Sequence, residues 1–308
     1  MSSTPLSSAS EIISRLVTRD GYCLRYRVWS RPEPPDGVLV LLNGVMSHSA
    51  WFRELAGAMA GLNLCVIGAD RRGSGLNEQD RGNVPSRSAL LRDLRAIIEQ
   101  QRVPNVPVYL AGWCWGGVLA VHAALEFSEL FRGLILIAPG LFPSQLIIRV
   151  MQEQKKVTTN ALLDQPCLRT PIQEDMFTNG PQLNDFILKD QLRLLTFTPR
   201  FWRIMIAMRA SAERHLPQLA QPVLLILARR DLTVENEETL NAFTHLAKAS
   251  VTSVFFDCQH GLQFEAPQLL ASHIYSWLKR VGLANSSGSR EPGDRIGREP
   301  GPTTEVAQ

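Results

Sequence analysis

The chain has 308 residues, 45% of them hydrophobic and 20% charged, with a formal net charge of +3. That composition suits a folded protein with a sizeable core, and it excludes the basic stripe of a nucleic-acid binder, while no apolar run reaches the ~20 residues that span a bilayer. The five cysteines, Cys23, Cys65, Cys114, Cys167 and Cys258, are scattered and show no C-x-x-C spacing, so neither a zinc site nor a disulfide framework is expected.

The Ser-rich start, Met1 to Ser10, lacks a basic region followed by an apolar one. No secretory signal is expected, residues 1–11 are expected to be disordered, and a reducing cytoplasm is the expected location. Residues 12–19 and 22–29 read as two β-rich segments around Asp20-Gly21, a hairpin signal. After a loop rich in proline (Pro32, Pro34, Pro35), Val38–Leu42 forms a continuous apolar run, as in a strand buried on both faces. Strands and helices then alternate. The expected helices are 49–60, 86–102 with Ser86 as N-cap, and Trp115–Phe127; the expected strands are Leu64–Gly68, Val108–Ala111 and Leu134–Ile137. This order implies an α/β fold with a mostly parallel sheet and helices on both faces.

Residues 141–215 interrupt the alternation. They hold amphipathic stretches at Ser144–Gln154, Pro181–Leu195 and Arg200–Ala212 but no clear β-rich run, and read as a helical cap that shapes a pocket. The alternation resumes with Val223–Leu227, a helix at 235–247, a strand at 251–256 and a helix at 265–280. The core is therefore expected at 12–140 and 216–283. Residues 284–308 are rich in Gly, Pro and Ser, repeat Arg-Glu-Pro-Gly, and are expected to be a disordered tail.

Gly112-Trp113-Cys114-Trp115-Gly116-Gly117 lies between a predicted strand and a predicted helix. A nucleophile on such a turn takes a strained backbone, and flanking glycines let strand and helix approach closely. The side chain then stands at the carboxyl edge of the sheet, where the helix N-terminus favours a thiolate. Cys114 is thus the candidate nucleophile. The alternative is a buried cysteine with no chemical role.

On these features the chain resembles the α/β-hydrolase fold, and more closely the capped monoacylglycerol lipase and lysophospholipase-like hydrolases. The resemblance rests on Leu42-Asn43-Gly44, on Asp70-Arg71-Arg72-Gly73-Ser74-Gly75, on the Cys114 turn and on a late Asp and His, and it covers residues 12–282. Those hydrolases normally carry Ser at the Cys114 position and often His-Gly where this chain has Asn43-Gly44. Cysteine in this turn is found in dienelactone hydrolases, which lack such a cap, and in polyester synthases, which are usually much longer.

A thiol nucleophile needs a base, and the base needs an orienting group. The resemblance places the base at His260, in the loop after the last strand. Asp231, 29 residues earlier, follows the strand Val223–Leu227 and gives the order nucleophile, acid, base. Glu235 and Glu237 are competitors expected on a helix. His122, His215, His245 and His273 read as packing or surface residues, while His48 lies in a loop from which it could reach substrate. The oxyanion hole is expected from the backbone N–H groups of Trp115 and Val45. Trp113 is a candidate pocket wall or a packing residue. Asp70-Arg71-Arg72 reads as a structural turn rather than an anion site.

The expected function is acyl transfer through a Cys114–His260–Asp231 triad and a covalent thioester. Water as acceptor gives an ester or thioester hydrolase; an amine or alcohol gives an acyltransferase. The expected partner is a small acyl substrate, free or carrier-bound, with no cofactor, no metal, no nucleic acid and no stable membrane insertion. The competing expectation is a hydrolase-fold protein that binds ligand without turnover.

Overall fold

The computed structural model describes residues 9–157, 163–246, 248–283 and 304–306. The hairpin predicted around Asp20-Gly21 forms from β1 (Ser10–Val17) and β2 (Cys23–Ser30), with Leu16 opposite Leu24. Gly21 supplies the left-handed turn at φ +80°. The strand begins earlier than expected: Ser10 and Glu11 belong to it, because the Glu11 carboxylate accepts from Arg27, Trp29 and Arg53.

Then follow β3 (Gly37–Leu42), α1 (Arg53–Gly61), β4 (Leu64–Ala69), α2 (Arg87–Gln101), β5 (Val108–Cys114), α3 (Trp115–Glu126) and β6 (Gly133–Pro139). Ser86 caps α2 as predicted, accepting from the N–H of Ala89 at 3.1 Å. The cap contributes α4 (Gln145–Val157), β7 (Leu168–Arg169), α5 (Pro181–Lys189), β8 (Thr196–Phe197) and α6 (Pro199–His215). Its two short strands pair antiparallel, a feature the sequence reading did not foresee. The core closes with β9 (Val223–Ala228), α7 (Asn236–Thr244), β10 (Val251–Phe256), α8 (Leu262–Glu265) and α9 (Pro267–Arg280). Within the tail expected to be disordered, Thr304–Val306 form β11 beside β10; the rest of the tail, like residues 1–8, lies outside the described residues.

The sheet order is β1-β2-β4-β3-β5-β6-β9-β10-β11. Every pairing from β4 onward is parallel. Strict alternation explains the two-sided burial. Val38, Val40 and Leu42 of β3 face one core with Leu90, Leu94 and Val118, while Leu39 and Leu41 face the other with Leu55, Met59 and Trp277. Helices α2 and α3 therefore cover one face, and α1 and α9 the other. The parallel directions bring the carboxyl ends of β3, β5, β9 and β10 to one edge, beneath the cap.

Among the described residues no helix is long and apolar enough to cross a membrane. Nor does any group of three or more His, Cys, Asp or Glu among them form a metal cluster.

Candidate active site

Cys114 ends β5 and precedes the first turn of α3 with φ +55° and ψ −127°. A non-glycine residue in that region is strained, and such strain persists only where packing enforces it. Here the enforcing contact is the approach of α3 to β3. A Cβ at Gly116 would lie 2.2 Å from the carbonyl oxygen of Leu42, and one at Gly112 would lie 2.3 Å from that of Gly116. No side chain fits at either position. The thiol is 6% exposed.

His260 follows β10 and is fully buried. Its Nδ1 lies 2.7 Å from Asp231 Oδ2. The other carboxylate oxygen of Asp231 accepts from the N–H and hydroxyl of Thr233, both at 2.7 Å, and from the N–H of Val234 at 3.2 Å. Burial alone would raise the Asp231 pKa, but the charge and hydrogen bond of His260, with those of Thr233, hold it below the usual carboxylate range. Burial alone would lower that of His260. The carboxylate of Asp231, and then the charge of Cys114, outweigh it and hold the imidazole above its ordinary range.

His260 Nε2 has no partner at hydrogen-bond geometry, although Cys114 is near enough to perturb the ring. Glu235 and Glu237 flank the start of α7, and the carboxylate hydrogen-bonded to His260 is that of Asp231.

The Gly44–Val45 peptide lies beside the thiol: a Cβ on Gly44 would be 3.0 Å from Cys114 Cβ and 3.4 Å from its Sγ. The N–H of Trp115, at the first position of α3, has no intrahelical acceptor. The loop carrying Val45 is tied down by Asn43, whose Nδ2 donates to the carbonyl of Ser47 at 2.5 Å. Val45, Cys114 and Trp115 border a cavity of about 80 Å³, lined also by cap residues including Ile147, Met205 and Arg209. Its walls Met151, Trp202 and Ile206 are shared with a groove of about 760 Å³ between α4 and α6.

Two expected substrate contacts fall elsewhere. Trp113 is 1% exposed and off the cavity wall, because alternation along β5 turns it to the opposite face from the pocket. It packs behind His260 with ring centroids 5.1 Å apart, and its Nε1 donates to the His260 carbonyl at 2.9 Å. His48 also misses the cavity. Its Nε2 is 2.7 Å from Asp190 Oδ2, and its Nδ1 accepts from the N–H of Ala50, so neither nitrogen remains for substrate. Asp190 ends α5 early, before the expected boundary at Leu195, because its carboxylate turns inward to His48 and to Trp51 Nε1 at 2.6 Å. Burial would raise Asp190, but the bonds from His48 and Trp51 hold its carboxyl below the usual range. His122 packs inside α3 against the Met208 carbonyl, and His273 packs on Phe256.

Thr233 was missed by the sequence reading. Its Oγ1 is 2.9 Å from His260 Nδ1 and 2.7 Å from Asp231, and it borders the cavity. The available signal was the Asp-x-Thr spacing, which favours an Asx turn that brings the hydroxyl back to the carboxylate.

A family model described as serine aminopeptidase, S33 (Hydrolase_4) matches residues 33–267. Human monoglyceride lipase is 26% identical over 285 residues, covering 90% of this chain and 93% of the relative. Among solved structures, a soluble variant of monoglyceride lipase from Saccharomyces cerevisiae in complex with a substrate analog superposes with a TM-score of 0.76 at 14% identity, covering 91% of this chain and 98% of that one. The thioesterase domain from the curacin biosynthetic pathway gives a TM-score of 0.63 at 18% identity, covering 86% and 99%. These structural likenesses establish the α/β-hydrolase fold.

Proposed function

The chain belongs to the Hydrolase_4 family and is a hydrolase of the α/β-hydrolase type, similar to monoglyceride lipases; from that premise we propose that it cleaves small acyl esters through Cys114 rather than a serine. The observation that carries this reading is the strained Cys114 beside a His260 whose Nδ1 is held by Asp231 at 2.7 Å and whose Nε2 is otherwise unpartnered.

In the proposed reaction His260 Nε2 takes the thiol proton and the sulfur attacks the ester carbonyl carbon. The carbonyl oxygen becomes an oxyanion that accepts from the N–H groups of Val45 and Trp115. The tetrahedral adduct expels the alcohol, which takes the proton from His260, and an acyl thioester remains on Cys114. Water then gives a proton to His260 and attacks the thioester. The second adduct releases the carboxylic acid, and the proton returns to sulfur. The apolar lining of the cavity suits a hydrocarbon acyl chain. Sulfur supports a second reading, acyl transfer, because a thioester reacts far more readily with amines than an ester does.

Intact-mass measurement with p-nitrophenyl esters from acetate to octanoate tests both. An acyl-sized mass gain on wild type, absent in Cys114→Ala, is the expected result. Turnover undiminished in Cys114→Ala overturns the proposal. Adding amine acceptors to the acylated protein separates hydrolysis from transfer.

A further inference from the structure

Two adjacent arginines follow β4, and the structure separates them. Arg72 is saturated: Asp93 accepts from it at 2.6 and 2.7 Å and Asp20 at 2.9 Å. Arg71 is 7% exposed, and among the described residues it has no carboxylate partner. The neighbouring Asp70 gives its oxygens to the N–H groups of Ser49 and Leu76, with Arg27 3.6 Å away. Among the described residues Arg71 Nε has no acceptor. Trp115 and Phe201 lie under the guanidinium, 5.8 and 5.3 Å from its carbon.

What Arg71 does bind is the loop beside the thiol. One Nη donates to the Gly44 carbonyl at 2.7 Å, and the other donates to the Val45 carbonyl. The Gly44 carbonyl and the Val45 N–H belong to one trans peptide, so they point in opposite directions. Holding the carbonyl toward Arg71 therefore turns the N–H away from it. A Cβ built on Gly44 would lie 3.4 Å from Cys114 Sγ, so the peptide that Arg71 holds borders the place where the reacting carbonyl must lie. Burial disfavours the charged form of Arg71 and the charge of Asp70 supports it; a cation held this deep is placed to meet negative charge that appears beside it.

We propose that Arg71 is a positioning residue for the oxyanion hole: it fixes the Gly44–Val45 peptide so that the Val45 N–H faces the substrate oxygen, and its charge meets its counter-ion when the oxyanion forms. This rests on the acyl-transfer reading of Cys114. It replaces the sequence-based view of Asp70-Arg71-Arg72 as a turn alone, which holds for Arg72.

The test compares wild type, Arg71→Met and Arg71→Lys by single-turnover acylation with p-nitrophenyl butyrate. Butanal and butan-1-ol serve as inhibitors, the aldehyde forming a hemithioacetal whose oxygen occupies the oxyanion position. Loss of one oxyanion donor costs ~10²–10³-fold in rate. Arg71→Met is expected to lose about that much, with KM unchanged within about twofold and butanal weakened in parallel, while butan-1-ol inhibits as before. Arg71→Lys keeps the charge but not the two-pronged grip, and is expected to fall between the two. If Arg71→Met fails to fold, the same comparison is made with Arg71→Lys, and wild-type rates there overturn the proposal. So do wild-type acylation in folded Arg71→Met, or equal weakening of aldehyde and alcohol. Absence of any acyl adduct on wild-type Cys114 would instead remove the function on which the proposal stands.

Discussion

Replacing Asp231 with Asn probes the site at its most buried point. The substitution keeps shape and one oxygen, which can still accept from Thr233 and Val234. What changes is the atom facing His260 Nδ1 at 2.7 Å: an acceptor becomes an amide donor. Nδ1 must then accept, and the ring proton moves to Nε2, where it blocks uptake of the thiol proton. A tautomer fault of this kind costs about 10⁴-fold in kcat in triad enzymes. Here Thr233 Oγ1, 2.9 Å from Nδ1, remains as a substitute acceptor, so the expected loss is nearer ~10³-fold.

Stability should fall as well. Breaking a buried charge pair by removing one partner costs ~3–5 kcal/mol, and the retained bonds place Asp231→Asn near the lower figure. That is roughly a 5 °C drop in Tm for a chain of this size. The pH dependence carries a sign. Asp231 is depressed in the folded state, so its contribution is present above about pH 4 and fades as pH falls through the lowered value. His260 is raised, so its contribution is complete below about pH 6.5 and fades as pH rises through the raised value. The gap between wild type and Asp231→Asn is therefore widest at about pH 4–6.5. Thermal melts by circular dichroism across pH 3–10, with p-nitrophenyl ester turnover, measure both. Activity within tenfold of wild type, or a gap that does not change with pH, would refute the reasoning.

Other outcomes follow from the same geometry. Burial pushes the Cys65 thiol up to about 11 and the Cys258 thiol up to about 12, so neither forms thiolate near neutrality. In a Cys23→Ser, Cys167→Ser background, iodoacetamide should therefore give a single adduct, mapped to Cys114 by peptide mass. Gly116→Ala would set a Cβ 2.2 Å from the Leu42 carbonyl oxygen and should cost more than the ~1–3 kcal/mol typical of overpacking, whereas Gly57→Ala in α1, with open space around it, should raise Tm. Trp113→Phe keeps the ring against His260 but removes a 2.9 Å hydrogen bond worth about 1 kcal/mol, and should slow kcat several-fold at constant KM in steady-state assays. Asp190→Ala strands His48 Nε2 and Trp51 Nε1, and should speed trypsin cleavage at Lys189 and Arg193 while leaving acylation of Cys114 by a small ester intact.

The fold was legible because its strands are buried on both faces and its helices are amphipathic, so continuous apolar runs and 3.6-residue periods alternate in the sequence. The proposed triad was legible because this topology carries reactive groups at strand ends in a fixed order. The supporting residues were not. His48 and Asp190 are 142 positions apart, and Trp113 meets the His260 carbonyl across 147. Which face of β5 Trp113 occupies depends on register, and one residue either way reverses it. Arg71 and Arg72 are chemically identical neighbours, and only burial and partners distinguish a saturated ion pair from a lone cation.

Arg71, with the field around His260, bears on how the proposed sulfur nucleophile would react. A serine hydroxyl needs a neutral imidazole to remove its proton at the moment of attack. Asp231 raises the proton affinity of His260, which favours uptake of the thiol proton and leaves an imidazolium beside the thiolate. Arg71 adds a second positive charge, fixed and desolvated, on the far side of the same loop. Two cations near the proposed nucleophile suit a reaction in which negative charge stays within the site, moving from sulfur to carbonyl oxygen and back. Cys114→Ser would place in that field a nucleophile that must first lose a far more tightly held proton, so the substitution should impair acylation more than its size suggests.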